Sequence, residues 1–337
     1  MVIRIDVIPS ASRVDDNLVA TAAAAASAAK RIGDQIERTE LRKSEAFSSD
    51  LGADVFLKLE NMQTTGSFKL RGASNRLMTL SADERAKGCV AASSGNHGAA
   101  VACAMQKLGA KGVIFVPEQT SSVKIGKIES YGGDVRLFGT DGLDTEQHAR
   151  EFAEENGMLY LSPYNDSQVI AGQGTCGVEI LEQLPEIDAV FVAVGGGGLI
   201  GGVGSVLKAH NPAIQVYGCQ PKASAVMAHS IAAGEILDLP SEPTLSDGTA
   251  GGIEAGAITF ELNQAVVDEF VVVDEEQIAA AMRLFMELEG QYIEGAAGVA
   301  IAAMMARREE IAGKNIVAII CGGNVSEETI ALVKGLI

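Results

Sequence analysis

Residues 188–202 read DAVFVAVGGGGLIGG, a strand–loop–helix pattern from which the rest of the chain is interpreted. The continuously apolar run at 188–194 predicts a buried strand, and the glycines from Gly195 to Gly202 predict a turn into a helix. A glycine-rich loop in this position offers backbone N–H groups with no side chains in the way, which suits a phosphate. The stretch therefore predicts an α/β protein with a phosphate site.

The same alternation of short apolar runs and helical stretches covers most of the chain. Further strands are predicted at 53–59, 88–92, 112–116, 134–138, 214–219 and 315–321. Helices are predicted at 20–29, 96–108, 122–131, 144–156, 171–184, 275–287 and 297–310. Short apolar strands that alternate with helices indicate parallel sheets covered on both faces, so the predicted fold class is α/β.

The composition argues against several classes of partner. The 337 residues carry a net charge of −18, which repels nucleic acid and anionic membranes. No segment reaches the roughly 18 consecutive apolar residues of a membrane helix, and the Ala-rich stretch 20–29 lacks the basic leader of a signal peptide. The five cysteines form no CxxC pair, which indicates reduced core residues and a cytoplasmic protein.

A second informative segment is residues 64–72, TTGSFKLRG. Lys69 follows a small polar run that is able to begin a helix, and it stands between Phe68 and Leu70. An amine in such surroundings is held neutral and nucleophilic, as Schiff-base chemistry requires. The alternative is a solvated lysine at the start of a helix.

The third segment, residues 93–98 (SSGNHG), follows the predicted strand 88–92. Small hydroxyl and amide groups beside the free N–H groups of a helix start form a cradle for a carboxylate. The alternative is an ordinary helix cap, for which serine and asparagine are usual.

The fourth segment, residues 321–324 (CGGN), follows the strand residues 315–320. Without a ligand it is a tight turn after a core strand, and Cys321 is then a small apolar residue.

The glycine loop also allows a nicotinamide-binding interpretation, because Gly196, Gly198 and Gly201 match G-x-G-x-x-G. That fingerprint requires an acidic residue at the end of the next strand to bind the ribose. The next strand ends at Cys219 and Gln220, so the acid is missing and a phosphate site is favoured over a dinucleotide site.

With these four segments in this order, the chain resembles the fold-type II pyridoxal-phosphate enzymes, in particular the threonine/serine dehydratase and serine racemase branch. The resemblance extends from about Thr39 to Asn324 and includes 169–175 (VIAGQGT) and 293–298 (IEGAAG). The run 246–254 (SDGTAGGIE) is most similar to dehydratases associated with hydroxyectoine utilisation. The implied architecture is tryptophan synthase beta-like, with two parallel-sheet domains.

The resemblance also implies domain boundaries. Residues 1–75 plus 164–337 form the large domain that binds pyridoxal phosphate, and 76–163 form the small domain. The second boundary coincides with the turn-rich segment 162–166 (SPYND).

The resemblance implies roles for residues of all four segments. Lys69 holds the cofactor as a Schiff base and removes the Cα proton, and Ser94 acts on the β-hydroxyl. The implied cofactor-binding residues are Phe68, Lys69, Asn96, Gly195, Gly196, Gly197, Gly198, Leu199, Glu294 and Cys321. The implied substrate-binding residues are Ser93, Ser94, Asn96, His97 and Tyr164. For His97 a positional role is favoured over that of a general base.

Three positions depart from the family pattern. Tyr164 stands where serine racemases carry an asparagine. Gln220 replaces the glutamate of metal-activated relatives, and Ala225 and Val226 follow where that site has aspartates, so no metal site is predicted. Cys321 replaces the commoner serine, and because a thiol is a weak hydrogen-bonding group the pyridine nitrogen is expected to stay largely unprotonated.

The implied activity is that of a lyase, a dehydratase and ammonia-lyase that removes water from a β-hydroxy-α-amino acid through an enamine and an imine. An unprotonated pyridine favours prompt elimination over racemisation. An amino-acid racemase is the alternative within this chemistry, and a nicotinamide-dependent oxidoreductase or a non-catalytic binding protein is the alternative outside it. A cytoplasmic homodimer that acts in amino-acid catabolism is expected.

Overall fold

The computed structural model describes residues 3–7 and 14–335, and the strands in these ranges form two sheets. The strands are β1 (Ile3–Asp6), β2 (Leu41–Lys43), β3 (Asp54–Lys58), β4 (Cys89–Ala92), β5 (Gly112–Val116), β6 (Asp134–Leu137), β7 (Leu159–Tyr160), β8 (Ala189–Ala193), β9 (Gln215–Pro221), β10 (Glu269–Val273) and β11 (Asn315–Ile319). A seven-stranded sheet has the order β1-β10-β9-β8-β11-β3-β2, and a four-stranded sheet has the order β6-β5-β4-β7.

Helices occupy most of the intervening segments. They are α1 (Val14–Ile32), α2 (Glu45–Leu51), α3 (Lys69–Met78), α4 (Ala82–Lys87), α5 (Asn96–Leu108), α6 (Ser122–Ser130), α7 (Gly142–Glu155), α8 (Ser167–Gln183), α9 (Gly198–His210), α10 (Val226–Ala233), α11 (Ile258–Val266), α12 (Glu275–Glu289), α13 (Gly295–Ala306), α14 (Arg308–Ile311) and α15 (Glu327–Val333). The α/β class predicted from the sequence is confirmed.

The seven-stranded sheet is parallel except at its two edges. β1 pairs antiparallel with β10, and β2 pairs antiparallel with β3, so the predicted parallel sheet carries an antiparallel strand at each edge. Both edge strands mix apolar and charged residues, as Arg4 and Lys43 show. An edge strand partly faces solvent and needs no continuous apolar run. For that reason neither strand stood out in the sequence.

The four-stranded sheet is parallel, and its strands β4 and β5 are buried, whereas its edge strand β6 is largely exposed. Successive side chains of a strand point to opposite faces. Ile114 and Val116 accordingly pack in one cluster with Leu70 of α3, whereas Val113 packs on the other face with Ala149 of α7. Packing of α3 on this sheet fixes the position at which its first residue, the candidate lysine, enters the protein interior.

The predicted domain boundary at residue 75 falls within α3. All four strands of the small sheet lie between Cys89 and Tyr160. α3 nevertheless packs on the small-sheet core and also contacts α8, where the Gln173 side chain accepts a hydrogen bond from Gly72 N at 3.2 Å. The division into 1–75 plus 164–337 and 76–163 stays a prediction.

The helix predictions differ in accuracy. The predicted helix 96–108 coincides with α5. The predicted helix 297–310 is wrong as one element, because α13 ends at Ala306 and α14 begins at Arg308. Arg307 leaves the helical conformation between them, and its buried guanidinium bonds to Glu269 of β10. β10 itself, EFVVV, was not predicted.

The structure also shows the surroundings of the cysteines and the apolar length of the helices. All five cysteines are buried and free, as expected for small core residues. Within the described ranges, no helix is both long enough and apolar enough to cross a membrane.

Candidate active site

A cleft of about 770 Å³ lies where β4, β5, β8 and β11 end. Ligands of open α/β proteins bind at the carboxyl ends of the strands. The structure brings the residues predicted for the site together here. They are Phe68, Lys69, Ser93, Ser94, Asn96, His97, Tyr164, Gly195, Gly196, Gly197, Gly198, Leu199, Glu294 and Cys321. Four segments that are distant in sequence therefore line one cleft, although their individual roles stay predictions.

Lys69 is the first residue of α3 and presents its amine to the cleft. Its Nζ donates to the backbone oxygen of Pro163 at 3.0 Å and lies 5.2 Å from the ring centre of Phe68. Burial lowers the pKa of Lys69 to about 8, against weaker opposing effects of Cys321 and Glu294. A substantial fraction of the amine is then neutral near pH 8, as a nucleophile or base requires.

The segment after β4 does not cap its helix through a side chain. The N-cap of α5 is Gly95, and no side chain bonds to the free N–H groups of the first turn. The Ser93 hydroxyl accepts from Gly95 N at 3.2 Å. The helix-cap interpretation of the serines and Asn96 is therefore wrong. The N–H groups at the helix start remain available for an anion.

Asn96 connects two other residues of the site. Its Nδ2 donates to both carboxylate oxygens of Glu294, at 3.0 and 2.9 Å, and its Oδ1 accepts from Asn324 Nδ2 at 2.6 Å. Burial raises the pKa of Glu294 to about 7, although the bonds from Asn96 act in the opposite direction. Asn324 belongs to the fourth segment but was not predicted as a site residue, because a glycine-flanked asparagine is typical of any turn.

Cys321 lies at the end of β11 beside Glu294, with its Sγ 3.8 Å from Glu294 Oε1. Burial and the neighbouring carboxylate raise the pKa of Cys321 well above its ordinary value. The thiol is therefore protonated and only weakly polar, which suits an uncharged ring nitrogen.

His97 is buried, and its Nε2 is 2.8 Å from the backbone oxygen of Leu161. Burial and the nearby Lys69 lower the pKa of His97 to about 3, despite the bond to the carbonyl. The imidazole is neutral and donates through Nε2 to the backbone oxygen of Leu161, the residue directly after β7. These contacts support the predicted positional role.

The glycine loop leaves no space for side chains. A Cβ at Gly196 would lie 2.4 Å from the Tyr164 ring, and one at Gly197, whose φ is +85°, would lie 1.8 Å from Asn263 Nδ2. Tyr164 thus packs on the loop, and its hydroxyl accepts from Glu254 N at 3.0 Å. Asn263 of α11, which no sequence pattern indicated, closes the other side. Glycine is required here by the protein as well as by any phosphate.

Gln220 occupies the position where relatives were expected to bind a cation. Its Nε2 donates to Val194 O at 3.0 Å, and its Oε1 accepts from Ala228 N at 2.8 Å. The amide thereby joins the end of β8, directly before the glycine loop, to α10. No group of three or more His, Cys, Asp or Glu side chains in the described part of the chain is arranged to hold a metal ion.

These residues fit pyridoxal phosphate. The amine of Lys69 has a lowered pKa and lies in the cleft. The loop from Gly195 to Gly198 leads into α9, and the first turn of a helix has N–H groups without intrahelical acceptors. The protonated thiol of Cys321 suits the pyridine nitrogen. Lysine, phosphate loop and ring partner are therefore all present in one cleft.

Comparison with known proteins agrees with this fit. Residues 32–322 match the family model described as pyridoxal-phosphate dependent enzyme. A curated relative, an L-threonine ammonia-lyase of Thermotoga maritima, is 40% identical over 304 residues, covering 90% of this chain and 75% of that protein.

Similar solved structures agree with this family match. The processed form of threonine deaminase isoform 2 from Solanum lycopersicum superposes with a TM-score of 0.93 at 35% identity, covering 100% of this chain and 97% of that one. Maize serine racemase superposes with a TM-score of 0.86 at 34% identity, covering 93% and 97%. On the cleft, the family match and these likenesses together, the chain belongs to the pyridoxal-phosphate-dependent enzymes and has their fold-type II architecture with two largely parallel sheets.

Proposed function

We propose that this enzyme is a dehydratase and ammonia-lyase that removes water from a β-hydroxy-α-amino acid of the threonine or serine type. The observation that carries the proposal is Lys69, a cleft-lining amine whose pKa lies near 8 and whose recorded acceptor is only a backbone carbonyl. The similarity to threonine ammonia-lyases and deaminases supports the choice of reaction.

Pyridoxal phosphate, when bound, supplies an electron sink for the negative charge left at Cα after loss of its proton. Lys69 would hold the cofactor, and its amine would be the base for the Cα proton. Its lowered pKa suits both roles, because an amine that is protonated throughout the working range cannot accept a proton.

We assign binding of the substrate carboxylate to the start of α5. The Asn96 side chain is fully engaged with Glu294 and Asn324, so its direct contribution is smaller than expected from the sequence. Ser93 and the first N–H groups of the helix are the better-placed donors. Asn96 then acts mainly by holding Glu294.

Ser94 is the group we assign to the departing hydroxyl. It lines the cleft, and no hydrogen bond of its hydroxyl to another described residue is recorded, so it is free to donate. Ser94→Ala is expected to lower kcat by about 10²–10⁴, the range for loss of a general acid, while the visible spectrum of the bound cofactor persists. An unchanged kcat in this variant would remove Ser94 from the mechanism.

The reaction is tested by incubating the holoenzyme with L-threonine and L-serine and measuring keto acid, ammonia and substrate chirality. A dehydratase releases keto acid and ammonia together. The alternative, a racemase, is raised by the likeness to serine racemase, and it would convert substrate to its D form with little ammonia. The protonated thiol at Cys321 favours elimination, because a weak partner leaves the ring nitrogen poorly protonated.

A more specific proposal concerns a hydroxyectoine-derived substrate. The run that motivated it, residues 246–254, contributes Asp247 and Thr249 to the cleft wall, and Tyr164 bonds to its last residue. Exchange with Lys69 requires a free α-amine, which the closed ring of hydroxyectoine lacks. The substrate in this class is therefore a ring-opened 3-hydroxy-2,4-diaminobutyrate or an acylated derivative. Rapid turnover of the closed ring would contradict this reasoning.

We also propose that the enzyme is a homodimer, in line with the resemblance that suggested it. Light scattering on the purified holoenzyme checks this directly, and a mass equal to one chain would refute it. The cytoplasmic location likewise stays a prediction.

A further inference from the structure

One face of α6 forms a wall of the cleft, and side chains on this face contact residues of other segments. Lys124, Lys127 and Tyr131 follow one another at spacings that place them on the same helix face. The Tyr131 hydroxyl donates to Thr64 O at 3.0 Å, and Lys124 Nζ lies 3.8 Å from the Asp247 carboxylate. Lys127 lies between these two contacts and lines the cleft.

Lys127 is joined to the polar network of the site. Its Nζ donates to Asn324 Oδ1, and Asn324 Nδ2 donates to Asn96 Oδ1 at 2.6 Å. Asn96 in turn bonds to Glu294. The ammonium therefore stands at the end of a chain of side chains that crosses the candidate site.

The charge of Lys127 is not balanced by an ion pair. Lys124 is paired with Asp247, whereas no carboxylate of the described residues lies within 4.0 Å of Lys127 Nζ. An ammonium has three donors, and among the described residues this one has Asn324 Oδ1 as its acceptor. Burial lowers the pKa of Lys127, with a weaker opposing effect of Glu294. A half-buried cation without a counter-charge is unfavourable unless a bound group completes it.

We propose that Lys127 selects the substrate side chain, favouring one that ends in an oxygen acceptor beyond the hydroxyl-bearing carbon. The inference rests on the proposed function and names its substrate class. A carboxylate or amide oxygen completes the hydrogen bonding of the ammonium, a methyl group leaves it unpaired, and a second ammonium is repelled. Among ring-opened compounds, the acylated form is favoured over the free diamine.

Binding of ligands that lack the leaving hydroxyl separates recognition from turnover. L-aspartate ends in a carboxylate beyond Cβ, and L-2-aminobutyrate ends in a methyl group at the same position. The holoenzyme is titrated with each, following the absorption of the bound cofactor. In Lys127→Met, the preference for L-aspartate over L-2-aminobutyrate is expected to fall about 10- to 100-fold, the range for a hydrogen bond to a charged group.

Lys124→Met is the matched control, because it removes a lysine from the same face of α6 that already has a carboxylate partner. Its preference is expected to stay within about twofold of wild type, since an exposed ion pair contributes little. Lys127→Arg is expected to retain most of the preference, and Lys127→Gln, which keeps donors without charge, is expected to lie between Arg and Met. Lys127→Gln also serves if Lys127→Met fails to fold.

Two outcomes overturn the inference. An unchanged preference in both Lys127→Met and Lys127→Gln shows that this ammonium does not contact the side-chain group. An equal loss of affinity for both ligands shows that Lys127 binds the α-carboxylate that they share. Failure of the proposed function has a different signature, because the wild-type holoenzyme would then release no ammonia from L-threonine or L-serine, whatever its ligand preference.

Discussion

Lys58 and Lys69 are close in sequence but lie in opposite electrostatic surroundings. Lys58 is fully buried, and its Nζ donates to a Glu179 oxygen at 2.6 Å and to Thr39 O at 2.7 Å. Arg71, two residues after Lys69, completes this cluster with paired bonds to Glu60, at 2.7 and 2.8 Å, and with bonds to Glu179. Every buried positive charge in this cluster meets a carboxylate.

Three charged groups of the cleft, Lys69, Glu294 and Lys127, lack such a partner, whereas the exposed Lys124 of the same cleft is paired with Asp247. Lys69 bonds to a backbone carbonyl, Glu294 to the neutral amide of Asn96, and Lys127 to the neutral amide of Asn324. Burial is therefore only partly offset, and it moves the pKa of Lys69 down to about 8 and that of Glu294 up to about 7. In the paired cluster the pKa of a buried carboxyl moves down instead of up. Although burial opposes it, Arg71 lowers the pKa of Glu60 below its usual value.

This difference in pairing distinguishes charges that stabilise the fold from groups that are suited to proton transfer. The paired buried charges join β3, α3 and α8 to one another. Lys69 and Glu294 in the cleft can change protonation near neutral pH, which proton transfer requires. The two regions share α3, so the paired cluster also fixes the backbone that carries Lys69, the proposed Schiff-base lysine.

Lys69→Ala should give the largest effect. We expect turnover to fall by about 10⁴ or more, because both cofactor attachment and proton removal are lost. The melting temperature of the apoprotein should change little, since the amine has no ion-pair partner to leave unpaired. Steady-state ammonia release and thermal unfolding of the same preparation measure both. Substantial residual turnover would place the chemistry on another residue.

Lys58→Met should lower the stability of the fold, whereas Lys69→Ala should lower turnover. Removal of one partner of a buried ion pair typically costs about 3–5 kcal/mol, and here it leaves Glu179 with only Arg71. We expect a loss of that size in the free energy of unfolding of the apoprotein by urea, with the cofactor still attached to Lys69 in the surviving holoenzyme. A stability close to wild type would show that the cluster contributes little to the fold.

The sequence predicted the residues that line the cleft better than those of the paired cluster. Lys69, the glycine loop and the segment after β4 are contiguous patterns at element boundaries, and each has a chemical reason that can be stated from residue types. The paired cluster joins Lys58 to Glu179, which are 121 positions apart, and only the packing of α8 against α3 brings them together. Short mixed strands such as β1 carry too weak a pattern to predict.

Lys127 and Asn263 were missed for related reasons. A lysine on a short helix is typical of a solvated face, and only the position of α6 along the cleft shows otherwise. An asparagine within α11 gives no signal until the glycine loop is seen against it. Long-range packing, rather than the local sequence pattern, determines the surroundings of both residues.

Glu294→Gln should change the free energy of unfolding by a smaller amount, and this change should depend on pH. Since the folded state raises the pKa of Glu294 from 4.5 to about 7, the carboxyl contributes stability below pH 4.5 that is lost as the pH rises through 7. This difference corresponds to about 3 kcal/mol. The variant should therefore gain on wild type by up to about that amount between pH 5 and pH 8, measured as the unfolding free energy of the apoproteins.

Glu60→Gln is the control from the paired cluster. The lowered pKa of Glu60 means that its contribution is present above its unfolded pKa and is lost only as the pH falls through the lower folded value. Its destabilisation should be constant between pH 5 and pH 8. The same pH trend in both variants would contradict the electrostatic difference between the two regions.

Reductive trapping of the cofactor tests the central claim most directly. The holoenzyme is treated with borohydride, digested, and searched by mass spectrometry for the lysine that carries the pyridoxyl group. We predict a label on Lys69 and none on Lys58 or on Lys127, the other cleft lysine joined to the polar network. A label on Lys127, or cofactor that is released unlinked after reduction, would contradict the account.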